Sequence, residues 1–597
     1  MTSTPPSDPT ASTPPPGSTA STPPPDSTAP AAPVAAGSAA PEGGYSHRQI
    51  MTILWALLMG MFLAALDQTI VSTAIRTIGD DLNGLSAQAW VTTAFLITST
   101  IATPLYGKLS DIYGRKQFFM LAITLFVIGS ALCGVAQSMY MLAAFRAFQG
   151  LGAGGLFSLA LAIVADIIPP RERAKYQGYF MAVFATSSVL GPVIGGFLAG
   201  QASILGLSGW RWIFWINVPL GIAALVVVSR VLHLPARHAA DVVIDWWGAV
   251  ALVVFLVPLL IVAEKGRDWG WGSPGAVACY VVGVLGFAAF CAIEARMGRA
   301  ALIPFRLFRS GTFSVAGAMS FILGIGMFGG IVTIPLYFQL VKGASPTKSG
   351  LLMLPLVVGL MSASLAAGQF TARTGRYKIM PIIGTGAMVV GLLLLNRVGA
   401  DSALVVVDLY MFIFGAGLGL CMQTVVLAMQ NSVPASDIGV ATSSATFFRQ
   451  VGGTMGTAVF LSILFSSVGT KVKAAYQAAF AGKNPDFTAA IHNPAVTGSG
   501  DNAKFLSALK NPSGSGGIDL NDTSFLKGLN HAIAHPFEVG FSQSMDLVFL
   551  CAAGIIAVGF VVSFFLKEVP LRTQAGNQAA RREAEEEAAV AATPAPH

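Results

Sequence analysis

Between Ile50 and Leu566 the chain alternates long apolar runs with short polar joints. Runs of about 20 apolar residues rise about 30 Å as helix, the thickness of a bilayer's hydrocarbon core. The pattern predicts helices near 50–75, 88–107, 117–136, 139–166, 175–200, 212–232 and 245–263. It continues with 275–295, 312–340, 348–370, 378–396, 403–429, 440–467 and 545–566. The expected fold is an all-α polytopic membrane protein with fourteen transmembrane helices.

An even number of spans puts both termini on one side, and Lys and Arg choose the side. With the N-terminus inside, inward loops and tails hold twenty basic residues and the short outward loops seven. Both termini are therefore expected in the cytoplasm, with the chain in the plasma (inner) membrane. The net charge of +7 is spread over the joints and forms no basic stripe, which excludes a nucleic-acid partner. Residues 1–47 are rich in Pro, Ser and Thr, lack a secretory signal and are expected to be a disordered cytoplasmic tail.

The joints contain a repeat. "GKLSDIYGRK" from Gly107 and "GQFTARTGRYK" from Gly368 each place Gly-Arg seven positions after a Gly, 261 residues apart. The same offset lays "GPVIGG" from Gly191 over "GGTMGT" from Gly452, and "GLGAG" at Gly150 pairs with "GAGLG" at Gly415. Three pairs in one order indicate two homologous halves, the parallel repeat of secondary transporters. The expected domains are a six-helix half 48–235, two inserted helices with a linker 236–310, and a second half 311–568 with a long external loop 468–544. Residues 569–597 form a second cytoplasmic tail. Asp111 corresponds to Ala372 and Arg146 to Met411, so the charges, and with them any proton chemistry, fall in the first half.

Asp67 lies inside the first apolar run. A charged side chain at the bilayer centre costs about 3 kcal/mol or more, and such residues usually mark function. Its neighbours three and four positions away, Leu63, Ala64, Ile70 and Val71, cannot pair with it, so a partner must come from another helix. Arg146 is equally isolated on its helix, at a depth that matches if the first helix ends near residue 75. Burial and a neighbouring guanidinium act on a carboxylate's proton affinity in opposite directions, which suits a group that gains and loses a proton. The alternative is a permanent structural ion pair.

Further candidates are Gly191, Pro192, Gly195 and Gly196, where a bend and close backbone approach coincide. Gly107, Asp111, Gly114, Arg115 and Lys116 form a candidate cytoplasmic gate, and the echo at 368–378 a candidate second latch. Gln149, Gln423 and Arg449 are candidate cavity residues, with the role of Arg449 open between structure and cavity lining.

Other chemistry is excluded. "GLGAGG" from Gly150 follows no strand and reads as a packing face, not a dinucleotide site. There is no phosphate-binding loop for ATP. The seven histidines fall in loops, tails or helix edges, which argues against haem, and no metal set stands out. The five cysteines lie in apolar runs and offer no disulfide framework. No cofactor is expected.

At these residues the chain resembles the major facilitator superfamily, and within it the fourteen-helix drug:proton antiporters of the EmrB/QacA type. "LDQTIVSTAI" resembles the first-helix signature, "GKLSDIYGRK" the loop motif and "RAFQGLGAG" the fourth-helix motif. "VLGPVIGGFL" resembles the fifth-helix antiporter motif and "WRWIFWINVPLG" the start of helix six. Arg76 departs from the signature's usual Pro, and segment 468–544 is longer than expected. The resemblance implies no enzymatic activity but export of amphiphilic small molecules in exchange for protons, the proton being the coupling ion. Asp67 and Arg146 would be proton-linked, Gly191 and Pro192 in the antiporter motif, Asp111 and Arg115 in the gate. The expected partners are membrane lipid and substrate; the chain is expected to be a monomer, and 468–544 leaves room for an outer partner. A lipid, siderophore or amino acid is the alternative cargo, and a non-transporting receptor the alternative class.

Overall fold

The structure is a computed structural model that describes residues 46–82, 88–173, 176–232, 245–298, 300–498 and 528–572, with isolated positions between 502 and 507 and after 573. The predicted N-terminal tail, most of the C-terminal tail and much of 499–527 lie outside the described residues. Apart from one isolated bridge between Ile204 and Leu207, the described residues contain no strand pairing.

All fourteen predicted stretches are helical. They are α1 His47–Asp81, α2 Gln88–Tyr113, α3 Arg115–Gly134, α4 Met139–Ile167, α5 Gln177–Ala199, α6 Asn217–Val231 and α7 Trp246–Trp269. The remainder are α8 Pro274–Met297, α9 Gly311–Leu340, α10 Leu354–Thr374, α11 Ile379–Leu395, α12 Leu404–Asn431, α13 Ile438–Ala478 and α14 His531–Phe564. Among the described residues, twelve helical stretches are long and apolar enough to cross a membrane. The two outside that set are α2 and the 17-residue α11. α2 is diluted by Thr92, Thr93, Thr98, Ser99, Thr100 and Thr103, hydroxyls that can satisfy themselves on the preceding turn, as Thr98 and Thr103 do by donating to Ala94 O and Ser99 O.

Helix starts follow the sequence. Ser46 and Gln49 close a reciprocal capping box at α1, and Ser138, Ser273 and Ser310 cap α4, α8 and α9. The run from Gly150 to Gly155 is indeed a packing face inside α4. A Cβ at Gly152 would strike the α3 backbone at Ala122 and Phe126, and one at Gly154 the α2 backbone at Ser99. Gly415 and Gly419 do the same for α12 against α10 at Leu356 and Leu360. The repeat thus reappears as close helix packing that only a missing side chain allows.

Apolar burial divides in the same way. One core is built wholly from residues between Leu307 and Leu571, and two from residues between Ile50 and Leu232. α4 is central, with 83% of its apolar window buried, and α8 is peripheral, with 22%. Val281, Val284 and Leu285 on α8 are among the large apolar side chains left exposed, as expected for a lipid-facing helix. α7 packs on α2 and α13 through Leu252, Leu256, Ile97, Ile101 and Phe447.

Several boundaries differ from expectation, among them the ends of α2 and α7, which run on to Tyr113 and Trp269. α1 runs on to Asp81, whose carboxylate accepts from Trp210 Nε1 at 2.7 Å. α13 continues past 467 to Ala478, and α14 begins at His531 instead of near 545. Both extensions lie in what was predicted to be external loop. They pair by burying Val468, Val472 and Tyr476 with Ile533, Phe537 and Phe541, and Tyr476 Oη donates to Ile533 O at 2.8 Å.

Candidate functional site

Two polar clusters stand out against the apolar helices, both rooted in α4. In the first, Asp67 on α1 is fully buried. Its Oδ2 accepts from Arg146 Nη1 at 2.6 Å. Its Oδ1 accepts from Gln149 Nε2 at 3.0 Å and Asn217 Nδ2 at 2.8 Å. Arg146 also donates to Gln149 Oε1 at 2.8 Å and lies 4.0 Å over the Phe95 ring. Asn217 reaches Ser130 Oγ at 3.0 Å, and Ser130 donates to Phe214 O at 2.9 Å. Arg146 Nε and Asn217 Oδ1 are buried without partners.

Arg146 therefore touches Asp67 directly. Gln149, expected to line a cavity, is instead fully buried as a bridge between the two charges. Asn217 and Ser130 were missed by sequence reasoning. Asn217 sits inside a motif read only for its resemblance, and Ser130 is a lone hydroxyl in an apolar run with no visible signal.

The second cluster lies at the end of the bundle predicted to face the cytoplasm. Arg115 pairs with Asp111 at 2.6 Å and Asp166 at 2.8 Å, and donates to Ser110 Oγ at 2.9 Å. Asp111 Oδ2 accepts the backbone N–H of Val440 at 2.9 Å, so a first-half carboxylate caps the start of a second-half helix. Gly107 and Gly439 permit this contact. A Cβ on Gly107 would meet Ser443, and one on Gly439 would collide with the Asp111 and Arg115 side chains. Gly114 makes the turn at φ +106°. Arg306 pairs with Asp437 beside the same helix start at 2.8 Å. Asp166 and Asp437 carried no sequence signal beyond an acid near a helix end.

Two gate expectations are corrected. Lys116 donates to Ser229 O at 2.7 Å, holding the end of α6 within its own half. The echo loop is also held within its half: Tyr377 N donates to Glu568 Oε1 at 3.0 Å, and Tyr377 Oη accepts from Val569 N at 3.0 Å. Where Asp111 reaches across, Ala372 has nothing to reach with. Burial raises the affinity of the Tyr377 hydroxyl for its proton.

On α5, a Cβ at Gly191 would meet Thr69 and one at Gly195 would meet Thr73 and the Ile70 carbonyl, so both seat α5 on α1. Pro192 faces Gly350 in the Pro346–Leu352 helix of the second half. Gly196, the fourth residue of the motif, is exposed. Gln423 lines a gap of about 40 Å³ with Leu161, Arg173, Phe180 and Gln430. Thr93, Thr100, Phe328, Gln450 and Thr454 line another of about 60 Å³. Drug-sized ligands occupy roughly 300–1,000 Å³. These gaps are too small for one.

An all-helical membrane protein whose two halves meet at a carboxylate-on-helix latch, with an ion pair sealed inside one half, has the build of a carrier that works by moving its halves, and is a transporter, not an enzyme. A family model, the Major Facilitator Superfamily, matches residues 57–457, and the chain belongs to that family. It is 32% identical to the multidrug transporter protein MdtP of Bacillus subtilis over 574 residues, 93% of this chain and 99% of that one. It is 37% identical to a tetracycline resistance determinant of Streptomyces rimosus over 331 residues, 55% of this chain and 93% of that one. Among solved structures, the proton:xylose symporter XylE shares the fold at a TM-score of 0.54 and 17% identity, over 90% of this chain and 99% of that one.

Proposed function

We propose that the protein exports amphiphilic drugs or natural products through the plasma (inner) membrane in exchange for protons, by alternating access, with both termini cytoplasmic. The observation that carries this reading is the sealed carboxylate of Asp67, met by Arg146, Gln149 and Asn217 from two other helices. Buried ion pairs are poor sources of net stability. A charge held in the membrane at such expense is retained for what it does. Protonation would remove its charge, release Arg146 and change how α1 and α4 hold together. The relatives' names support efflux of small molecules, and lipid, siderophore or amino acid remains the alternative cargo.

In this reading Asp67 and Arg146 are the proton-linked pair, Gln149 and Asn217 position them, and Asp111 with Arg115 forms the gate. The α5 glycines and Pro192 set how α5 slides against α1. Everted vesicles containing wild-type protein or Asp67→Asn test this. Under an imposed ΔpH the wild type should accumulate ethidium, and the folded Asn variant should retain facilitated equilibration but lose accumulation. Uphill ethidium accumulation by folded Asp67→Asn would refute the coupling role.

A further inference from the structure

Arg449 belongs to neither cluster. It lies eleven residues into α13, about 16 Å from that helix's start and near the middle of a hydrocarbon core of about 30 Å. Its neighbours along the helix face, Thr442, Ala445, Thr446, Gly452, Gly453 and Gly456, are all buried inside the protein. Of these seven positions Arg449 alone keeps accessible surface. The adjacent Gln450 lines a gap between α2 and α13. One turn further, Phe328 lies over Gly453 and lines the gap shared with Gln450, Thr454 and α2.

Among the described residues Arg449 has no hydrogen bond, no ion pair and no charged neighbour. Its helix packs so tightly on α9 that a Cβ on Gly324 would strike the Arg449 backbone, so the side chain cannot relax by moving the helix away. In the other half Asp67 and Arg146 neutralise each other. At the depth of Arg449, the charge left without a partner among the described residues is therefore positive. A membrane-buried guanidinium is costly unless something pairs with it, and its planar fork suits a carboxylate or a similar flat oxyanion.

We propose that Arg449 is a substrate-binding residue that pairs with the acidic group of an anionic amphiphile, so that this carrier prefers cargo bearing a carboxylate, enolate or phenolate on an apolar body. This rests on the exporter reading and narrows its substrate class. The cavity that receives the cargo forms when the halves part, and Phe328 with the Thr93 and Thr100 face of α2 supplies walls for the apolar body. A cationic amphiphile meets like charge there and binds more weakly than an acid on the same apolar body, without being excluded from transport.

The test compares two probes that differ in one group, 11-(dansylamino)undecanoic acid and its primary amide, bound to purified full-length protein in detergent and read by dansyl fluorescence. Wild type should bind the acid at least tenfold more tightly than the amide. Arg449→Gln should abolish the preference by weakening acid binding alone, and Arg449→Lys should restore part of it. A structural role would weaken both probes together. An acid-to-amide ratio near one in wild type, or an unchanged ratio in folded Arg449→Gln, overturns the proposal. Ethidium accumulation with no acid preference sinks this inference and leaves export standing. Acid preference with no ΔpH-driven uptake of either the acid or ethidium sinks export and leaves the anion site.

Discussion

Replacing Asp111 by Ala should loosen the contact between the halves, by an amount the geometry sets. Across the interface the carboxylate accepts Val440 N–H at 2.9 Å, and its pair with Arg115 lies within the first half. A buried hydrogen bond to a charged group contributes roughly 1.5–3 kcal/mol, and a carboxylate at a helix start adds about 0.3–1 kcal/mol through the helix dipole. Arg115 keeps Asp166 on Nε and Ser110 on Nη1, and the loss of Asp111 from its Nη2 falls within the first half and not across the interface. The closed gate should therefore lose about 2–4 kcal/mol, a shift of roughly 30- to 1,000-fold toward the open form. Ser443, 1% exposed and seated against Gly107, reports that shift. In a background lacking the five native cysteines, Ser443→Cys should react with N-ethylmaleimide at least roughly 30 times faster when Asp111 is Ala. Asp111→Asn keeps an acceptor and should give a smaller rise. A rate within threefold of the parent in a folded Asp111→Ala protein would refute the latch.

Two further substitutions separate tight contacts from loose ones. Gly195→Ala forces a methyl against the Ile70 carbonyl on the α1 seam and should cost about 1–3 kcal/mol, read as a lower melting temperature in detergent. Arg306→Gln removes a partner of Asp437 that is itself 36% exposed, and should change stability by less than about 1 kcal/mol in the same assay.

What the sequence made legible follows from which signals are local. Apolar run length located the fourteen long helices, because a bilayer requires about 20 residues, but not the short Pro485–Ile491 and Pro494–Thr497 helices in the segment read as external loop. The Asp67 and Arg146 contact was reached from depths counted on a first helix that stops at 75. The helix in fact continues to Asp81, and the pair meets because each residue has no partner on its own helix. The extensions of α13 and α14 were hidden because "KVKAAYQAAF" reads as polar until Val472 and Tyr476 are set against Ile533 and Phe537 from a segment some 60 residues away. Asn217 and Asp166 were hidden for the same reason. Each is an ordinary polar residue near a helix end until the fold places it beside Asp67 or Arg115.

The halves are alike in packing and unlike in charge, and the difference concentrates in α4. That helix carries Arg146 at one end of its polar positions and Asp166 twenty residues further on, about 30 Å away along the axis. Arg146 holds α1 through Asp67, and Asp166 holds the base of α3 through Arg115, which steadies Asp111 on the start of α13. Between them Gly150, Gly152 and Gly154 set α4 directly on the backbones of α2 and α3, leaving no soft side-chain layer to absorb a shift. In α12, the matching helix, Met411 replaces the arginine. If Asp67 changes charge as proposed, it has one stiff element to act on, and that element ends in the ion pair proposed as the gate at the opposite end of the bundle.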